Sequence, residues 1–127
     1  MRFFLSLILF FSTGIILSQT IRNVNAEEFK KMIDAKKGEL IDLRTINEIE
    51  SKGKIKDAKQ LDYLVKDSEE QIKKLDKNKT YLIYCAGGGR SSEAAELMQK
   101  LGFKEVVNLE KGYDDWRKKG FETEQKH

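Results

Sequence analysis

Residues Thr80-Tyr81-Leu82-Ile83-Tyr84 are a short run of β-branched, aromatic and aliphatic side chains that leads directly into Cys85. Gly87, Gly88 and Gly89 follow, then Arg90 and a helical stretch from Ser91 to Leu101. The run reads as a strand. Ala94, Ala95, Leu97, Met98 and Leu101 recur at helical spacing and give the next element one apolar face, and Gly102 is its stop signal. A strand that enters a helix through a glycine-rich loop belongs to a chain in which the two element types alternate.

The rest of the chain repeats that alternation. Ile21 to Val24 is a β-like run. Asn25 with Glu28 three residues later is a capping-box pattern, and Phe29, Met32 and Ile33 place a helix from Ala26 to about Lys36, closed by Gly38. Leu40-Ile41-Asp42-Leu43 reads as a buried parallel strand. A polar stretch from Thr45 to Lys54 holds one helical turn at Asn47 to Ser51, and a short strand is expected at Ala58-Lys59-Gln60. Tyr63 to Leu75 is expected as a helix with Leu64, Ile72 and Leu75 as apolar points, followed by a turn at Lys77 to Lys79. Glu105 to Leu109 is a further strand, and Gly112 to Lys118 a last short helix. The pattern predicts an α/β domain of three layers, a mainly parallel sheet with helices on both faces. Proline is absent, so no turn or kink is proline-driven.

The first residues differ in kind. Met1-Arg2 is a positive start, and Phe3 to Leu17 runs apolar apart from Ser6, Ser12, Thr13 and Gly14. The stretch is shorter than the ~20 residues a spanning helix needs. A charged start, a short apolar run and small residues after it describe a secretory signal. The expectation is a signal over residues 1–18, cut after Ser18, with an uncleaved anchor as the alternative. The domain then covers 19–120 and a polar tail 121–127, fraying from Glu122. The mature protein is expected to be periplasmic or secreted, with no stable membrane insertion. Formal net charge is +3, from 24 basic and 21 acidic residues interleaved along the chain. No basic helix with interleaved aromatics is present, which argues against nucleic-acid binding.

Cys85 is the one cysteine in the chain. Exported proteins use cysteines in pairs as disulfides, so a single one is an inert buried residue, a partner for another molecule or a reactive thiol. Its neighbourhood favours the last. It stands at the carboxyl end of a strand, where open α/β sheets bind ligands. Gly87, Gly88 and Gly89 can adopt positive φ, letting main-chain amides curl inward as an anion-binding nest. The helix that follows adds unpaired N–H groups and a partial positive charge at its start, and Arg90 adds a cationic fork at the rim. Together these favour thiolate over thiol, and the same nest would accommodate a persulfide. His127 is the one histidine and stands at the far end of the chain, so a Cys/His dyad is not expected.

These motifs resemble the rhodanese family over about Ile21 to Gly120. The family's opening motif, an acidic residue and an arginine after a buried strand, is similar to Leu40-Ile41-Asp42-Leu43-Arg44. Its Gly-His-Ile segment corresponds to Gly53-Lys54-Ile55, with lysine in the histidine position. The active-site loop resembles Cys85-Ala86-Gly87-Gly88-Gly89-Arg90-Ser91, and the closing glycine and tryptophan resemble Gly112 and Trp116. The resemblance implies a cofactor-free, metal-free sulfurtransferase. In it the Cys85 thiolate takes the outer sulfur of thiosulfate or a similar small sulfur anion. The resulting persulfide yields that sulfur to cyanide, a small thiol or a partner protein's thiol. It also implies that the main-chain amides from Ala86 to Arg90 stabilise charge, that Arg90 orients the donor and that Ser91 completes the loop. Asp42 and Arg44 read as an architectural ion pair, and Trp116 as core packing.

Three other readings stay open. A non-turnover persulfide carrier or redox module would act on a partner protein. A cysteine phosphatase or arsenate reductase of the same fold would carry a longer loop than the four residues between Cys85 and Arg90. A binding module would need no reactive thiol.

Overall fold

The computed structural model describes residues 20–125. The expected signal segment, its cleavage point and His127 lie outside the described residues. Five strands, β1 (Ile21–Val24), β2 (Glu39–Asp42), β3 (Lys59–Gln60), β4 (Thr80–Tyr84) and β5 (Glu105–Leu109), form one sheet in the order β1-β5-β4-β2-β3, and each pairing is parallel. Five helices connect or follow them: α1 (Ala26–Asp34), α2 (Ile46–Lys52), α3 (Ser68–Lys73), α4 (Gly89–Lys100) and α5 (Gly112–Lys118).

Side-chain alternation along the central strand divides the core in two. Leu82 and Tyr84 face one way, packing with Phe29 and Met32 of α1 and with Tyr113 and Trp116 of α5. Tyr81 and Ile83 face the other, packing with Ala94, Ala95 and Met98 of α4 and with Ile72 of α3. Successive strand residues point to opposite faces, so Cys85 continues the second series and lies in the α4 layer. The expected three-layer α/β architecture is thereby present, with a sheet that is parallel throughout.

The face packed against α1 and α5 contains a buried polar knot. Asp42 and Arg44 are almost wholly excluded from solvent. The Arg44 main-chain amide donates to Asp42 Oδ1 at 2.9 Å, and its guanidinium donates through Nε to Oδ1 at 3.0 Å and through Nη2 to Oδ2 at 2.7 Å. Nη2 also donates to the Gly53 carbonyl at 2.8 Å. The Tyr84 hydroxyl donates to Asp42 Oδ2 at 2.7 Å and accepts from the Ile55 amide at 3.1 Å. Burial, reinforced by the neighbouring Asp42 charge, pushes the Tyr84 phenol well above its ordinary value and keeps it a donor. The guanidinium stacks on the Tyr113 ring, 3.9 Å from its centre. The pair is architectural, as expected, and ties β2, β4, the loop after α2 and α5 together.

The elements depart from expectation in several places. Tyr63 to Leu75 is not one helix. Helix begins only at Ser68, because Asp62 Oδ1 accepts from the Leu64 amide at 2.9 Å and turns the chain, leaving Leu64 and Val65 exposed. α1 stops at Asp34 rather than Lys36, with Lys36 itself at φ 52°, and Gly38 already leads into β2. α2 is longer than the single expected turn because Thr45 and Glu48 form a capping box. The segment expected to fray from Glu122 is tied down as far as Glu124. The Trp116 indole donates to the Glu122 carbonyl at 3.0 Å, and Lys54 and Glu124 exchange main-chain hydrogen bonds of 2.9 and 2.8 Å. Phe121 packs on Trp116 at 5.0 Å, which is buried as expected. Lys54, in the position where the family usually has histidine, donates from Nζ to the Ala58 carbonyl at 2.8 Å.

Removing one half of the Asp42–Arg44 pair leaves the other charge buried alone. Asp42→Ala is expected to cost about 3–5 kcal/mol of folding stability, read as a lowered urea midpoint with an unchanged slope.

Candidate active site

Cys85 leaves β4 at the carboxyl edge of the sheet and sits beneath the start of α4. Its side chain is 1% exposed. The Gly88 amide donates to Sγ at 3.1 Å and the Ser91 amide at 3.4 Å. The thiol donates to Ser91 Oγ at 3.4 Å, while the Ser91 hydroxyl donates to the Gly88 carbonyl at 3.2 Å. A hydroxyl can turn to suit its neighbour, so Ser91 provides a third donor when the sulfur is ionised. Sγ thus lies at the focus of donors, as an anionic sulfur requires.

The amides that reach Sγ coincide with those expected at one residue, Gly88, and the other comes from one residue beyond them. The nest was expected to run from Ala86 to Arg90, but the direct contacts come from Gly88 and Ser91. Gly88 is the loop glycine that takes positive φ, at 105°, whereas Gly87 and Gly89 do not. A Cβ on Gly88 would overlap the Glu110 carbonyl oxygen, while one on Gly87 or Gly89 would meet open space. α4 begins at Gly89, two residues earlier than expected, so Arg90 belongs to its first turn.

Two main-chain bonds from α5 hold this loop. The Tyr113 amide donates to the Cys85 carbonyl at 2.8 Å, and the Asp114 amide to the Ala86 carbonyl at 3.0 Å. Gly112, at φ 70°, lies so close that a side chain there would strike the Ala86 carbonyl. Across a planar trans peptide the carbonyl and the following N–H point opposite ways. Fixing the carbonyls of Cys85 and Ala86 toward α5 therefore turns the amides of Ala86 and Gly87 away from it.

Arg90 does not stand as a free cation. Its Nη1 donates to Glu48 Oε1 at 2.7 Å and its Nη2 to Glu48 Oε2 at 2.9 Å, a two-pronged pair at the part-exposed rim. The same Oε1 accepts from the Thr45 amide at 3.1 Å, closing the α2 cap. The Arg90 hydrogen bonds, helped by Thr45 and opposed by burial, lower the Glu48 carboxyl from 4.5 to about 2. Glu48 in turn raises Arg90, and Asp62 and Cys85 act on the guanidinium in the same sense. Glu48 is the site residue that sequence reasoning missed. The pattern Thr45-Ile46-Asn47-Glu48 marks it as a cap residue, but nothing local indicates its partner 42 positions away.

A sequence profile described as "Rhodanese-like domain" matches residues 25–119. A protein of Bacillus subtilis designated "Putative sulfur carrier protein YrkF" is 32% identical over 99 residues, covering 78% of this chain; the chain spans about half, 52%, of that relative's length. A protein of Allochromatium vinosum named "Sulfurtransferase" is 29% identical over 102 residues, 79% of this chain and 92% of its own. Among solved structures, a rhodanese-related protein of Thermoplasma volcanium superposes with a TM-score of 0.73 at 28% identity, covering 83% of this chain and 99% of that one. A rhodanese-like domain protein of Staphylococcus aureus superposes with a TM-score of 0.69 at 30% identity, covering 84% and 99%.

The loop geometry separates its glycines experimentally. Gly88→Ala is expected to cost about 1–3 kcal/mol from backbone strain alone, while Gly87→Ala and Gly89→Ala stay near wild type, as measured by chemical denaturation. Glu48 gives an acid signature. Its carboxyl is lower in the folded chain, so its contribution is full above about 4.5 and is lost as pH falls toward about 2. Over that interval wild type should lose stability more steeply than Glu48→Gln, as followed by urea unfolding at each pH.

Proposed function

The chain belongs to the rhodanese-like domain family, and on that premise we propose that it is a sulfurtransferase in which Cys85 carries sulfane sulfur as a persulfide. The Cys85 thiolate attacks the outer sulfur of thiosulfate or a similar donor. The S–S bond of thiosulfate breaks, sulfite leaves with the bonding electron pair, and a Cys85 persulfide anion remains. Cyanide or a thiol then attacks the outer persulfide sulfur, taking it as thiocyanate or a new persulfide and returning the Cys85 thiolate. The two steps share a covalent intermediate and give ping-pong kinetics.

The observation that carries this reading is the pair of main-chain amides aimed at Sγ from Gly88 and Ser91. Amides fixed before reaction stabilise charge without reorganising, and the Ser91 hydroxyl can follow the charge as it moves between sulfur atoms. The amides of Ala86, Gly87, Gly89 and Arg90 are the further candidates for holding the outer sulfur and the leaving anion, with Arg90 as the cationic side of the donor site. The reading is supported by the relative named as a sulfurtransferase, whose length the chain nearly spans.

A carrier that accepts sulfur but releases it only to a partner protein is the second reading. It is favoured by the near-complete burial of Cys85, which restricts access by free acceptors, and by the relative designated as a sulfur carrier.

Incubating the purified protein with thiosulfate should add the mass of one sulfur atom to the peptide containing Cys85, reversibly by dithiothreitol and not at all in Cys85→Ala. Thiocyanate production from thiosulfate and cyanide should be lost in Cys85→Ala. A wild type that gains the sulfur without turning over cyanide identifies the carrier, and a wild type that gains none from thiosulfate or from an organic thiosulfonate refutes both readings.

A further inference from the structure

The rim of the loop has an unusual charge balance for a site expected to admit small sulfur anions. Ala86, Gly87, Gly88 and Gly89 contribute no side-chain charge. The cation, Arg90, has both terminal nitrogens engaged by the Glu48 carboxylate, at 2.7 and 2.9 Å. Arg44, the other arginine near the carboxyl edge of the sheet, is buried on Asp42 and Tyr113. An approaching anion therefore meets a guanidinium already paired with a carboxylate, and must compete with Glu48 for it.

Resting on the persulfide reading above, we propose that Glu48 is a specificity-determining residue that sets the site against dianionic sulfur donors and in favour of donors bearing a single negative charge. Glu48 is held for that task from two sides. Oε1 is fixed by the Thr45 amide of the α2 cap as well as by Arg90, so the carboxylate does not swing aside when a donor arrives. A dianion such as thiosulfate is repelled by the paired carboxylate and gains little from a cation already neutralised. A donor with one charge less suffers less repulsion for the same sulfur chemistry. Organic thiosulfonates and alkyl persulfides are the donor class that fits. With a thiosulfonate the Cys85 thiolate takes the outer sulfur, the S–S bond breaks and a sulfinate leaves with the electron pair. The charge is conserved, as it is when sulfite leaves thiosulfate.

Methanethiosulfonate isolates the effect, because it replaces one oxygen of thiosulfate by a methyl group and carries one charge less. The full-length protein and its Glu48→Gln variant are assayed with both donors, using cyanide as acceptor. The glutamine keeps an oxygen for the Thr45 cap while removing the charge and placing an amide donor against Arg90 Nη2, which breaks one of the two bonds to the guanidinium. Wild type should have the higher kcat/KM with methanethiosulfonate. In Glu48→Gln the ratio of thiosulfate to methanethiosulfonate kcat/KM should rise about tenfold, the order of effect of one charge at a part-exposed rim, through a fall in the thiosulfate KM. A second measurement varies salt. The thiosulfate KM of Glu48→Gln should rise with ionic strength more steeply than that of wild type, because removing the carboxylate leaves the Arg90 charge uncompensated. Equal changes for both donors in Glu48→Gln, or the same salt dependence of the thiosulfate KM in both proteins, overturn the role of Glu48 and leave the persulfide reading intact. Failure of wild type to gain sulfur from either donor overturns both.

Discussion

Two hydrogen bonds from the first turn of α5, to the carbonyls of Cys85 and Ala86, are the constraint on which the site depends. A glycine-rich loop has no preferred shape of its own, because its residues have a large conformational space to lose. Here the loop is shaped from outside. The Tyr113 and Asp114 amides fix the first two carbonyls, Gly112 lets the chain pass within contact of Ala86, and Gly88 takes the one left-handed turn that brings the chain into α4. The Gly88 and Ser91 amides then face the sulfur. The start of α4 leaves its first N–H groups unpaired, and two of them, from the cap residue Gly88 and from Ser91 in the first turn, converge on one atom.

That constraint in turn rests on the buried knot around Arg44. The guanidinium stacks on Tyr113, the residue whose amide holds the Cys85 carbonyl, and the Tyr113 hydroxyl donates to the Lys52 carbonyl at 2.6 Å. Tyr84, the residue before Cys85, donates to the Asp42 carboxylate. A fully buried ion pair contributes little net stability against its desolvation. Its value here is positional: each of its groups has a hydrogen-bond partner on a different element, so β2, β4 and α5 meet in one arrangement. The loop after α2 is held by the same guanidinium through Gly53, and this fixes the helix that carries Glu48.

The family relationship and the rim electrostatics act at different scales. Similarity over most of the chain identifies the rhodanese-like fold. What such a site admits is set by a few charges at its mouth, because main-chain amides stabilise an anionic sulfur whatever donor supplied it. In this chain the cation at that mouth, Arg90, is paired with Glu48 of α2.

Much of the molecule was legible in the sequence. Its parallel strands are short apolar runs, its main helix has an apolar stripe, and Cys85 stands at a strand end before a glycine-rich turn. Such signals are carried by neighbours within a few positions, where side-chain period and φ preference act directly. The same locality explains what was misread. Leu64 appeared as an apolar point of a helix that the Asp62 turn prevents, and the polar residues after Gly120 gave no sign that Lys54 would pair with Glu124. The sequence alone determined the architecture and the place of Cys85 at a strand end, because both follow from local patterns. The tertiary structure alone decided which amides reach its sulfur and that Arg90 is shared with Glu48. Those contacts join segments far apart in the chain, and their geometry exists only once the sheet and its helices have packed.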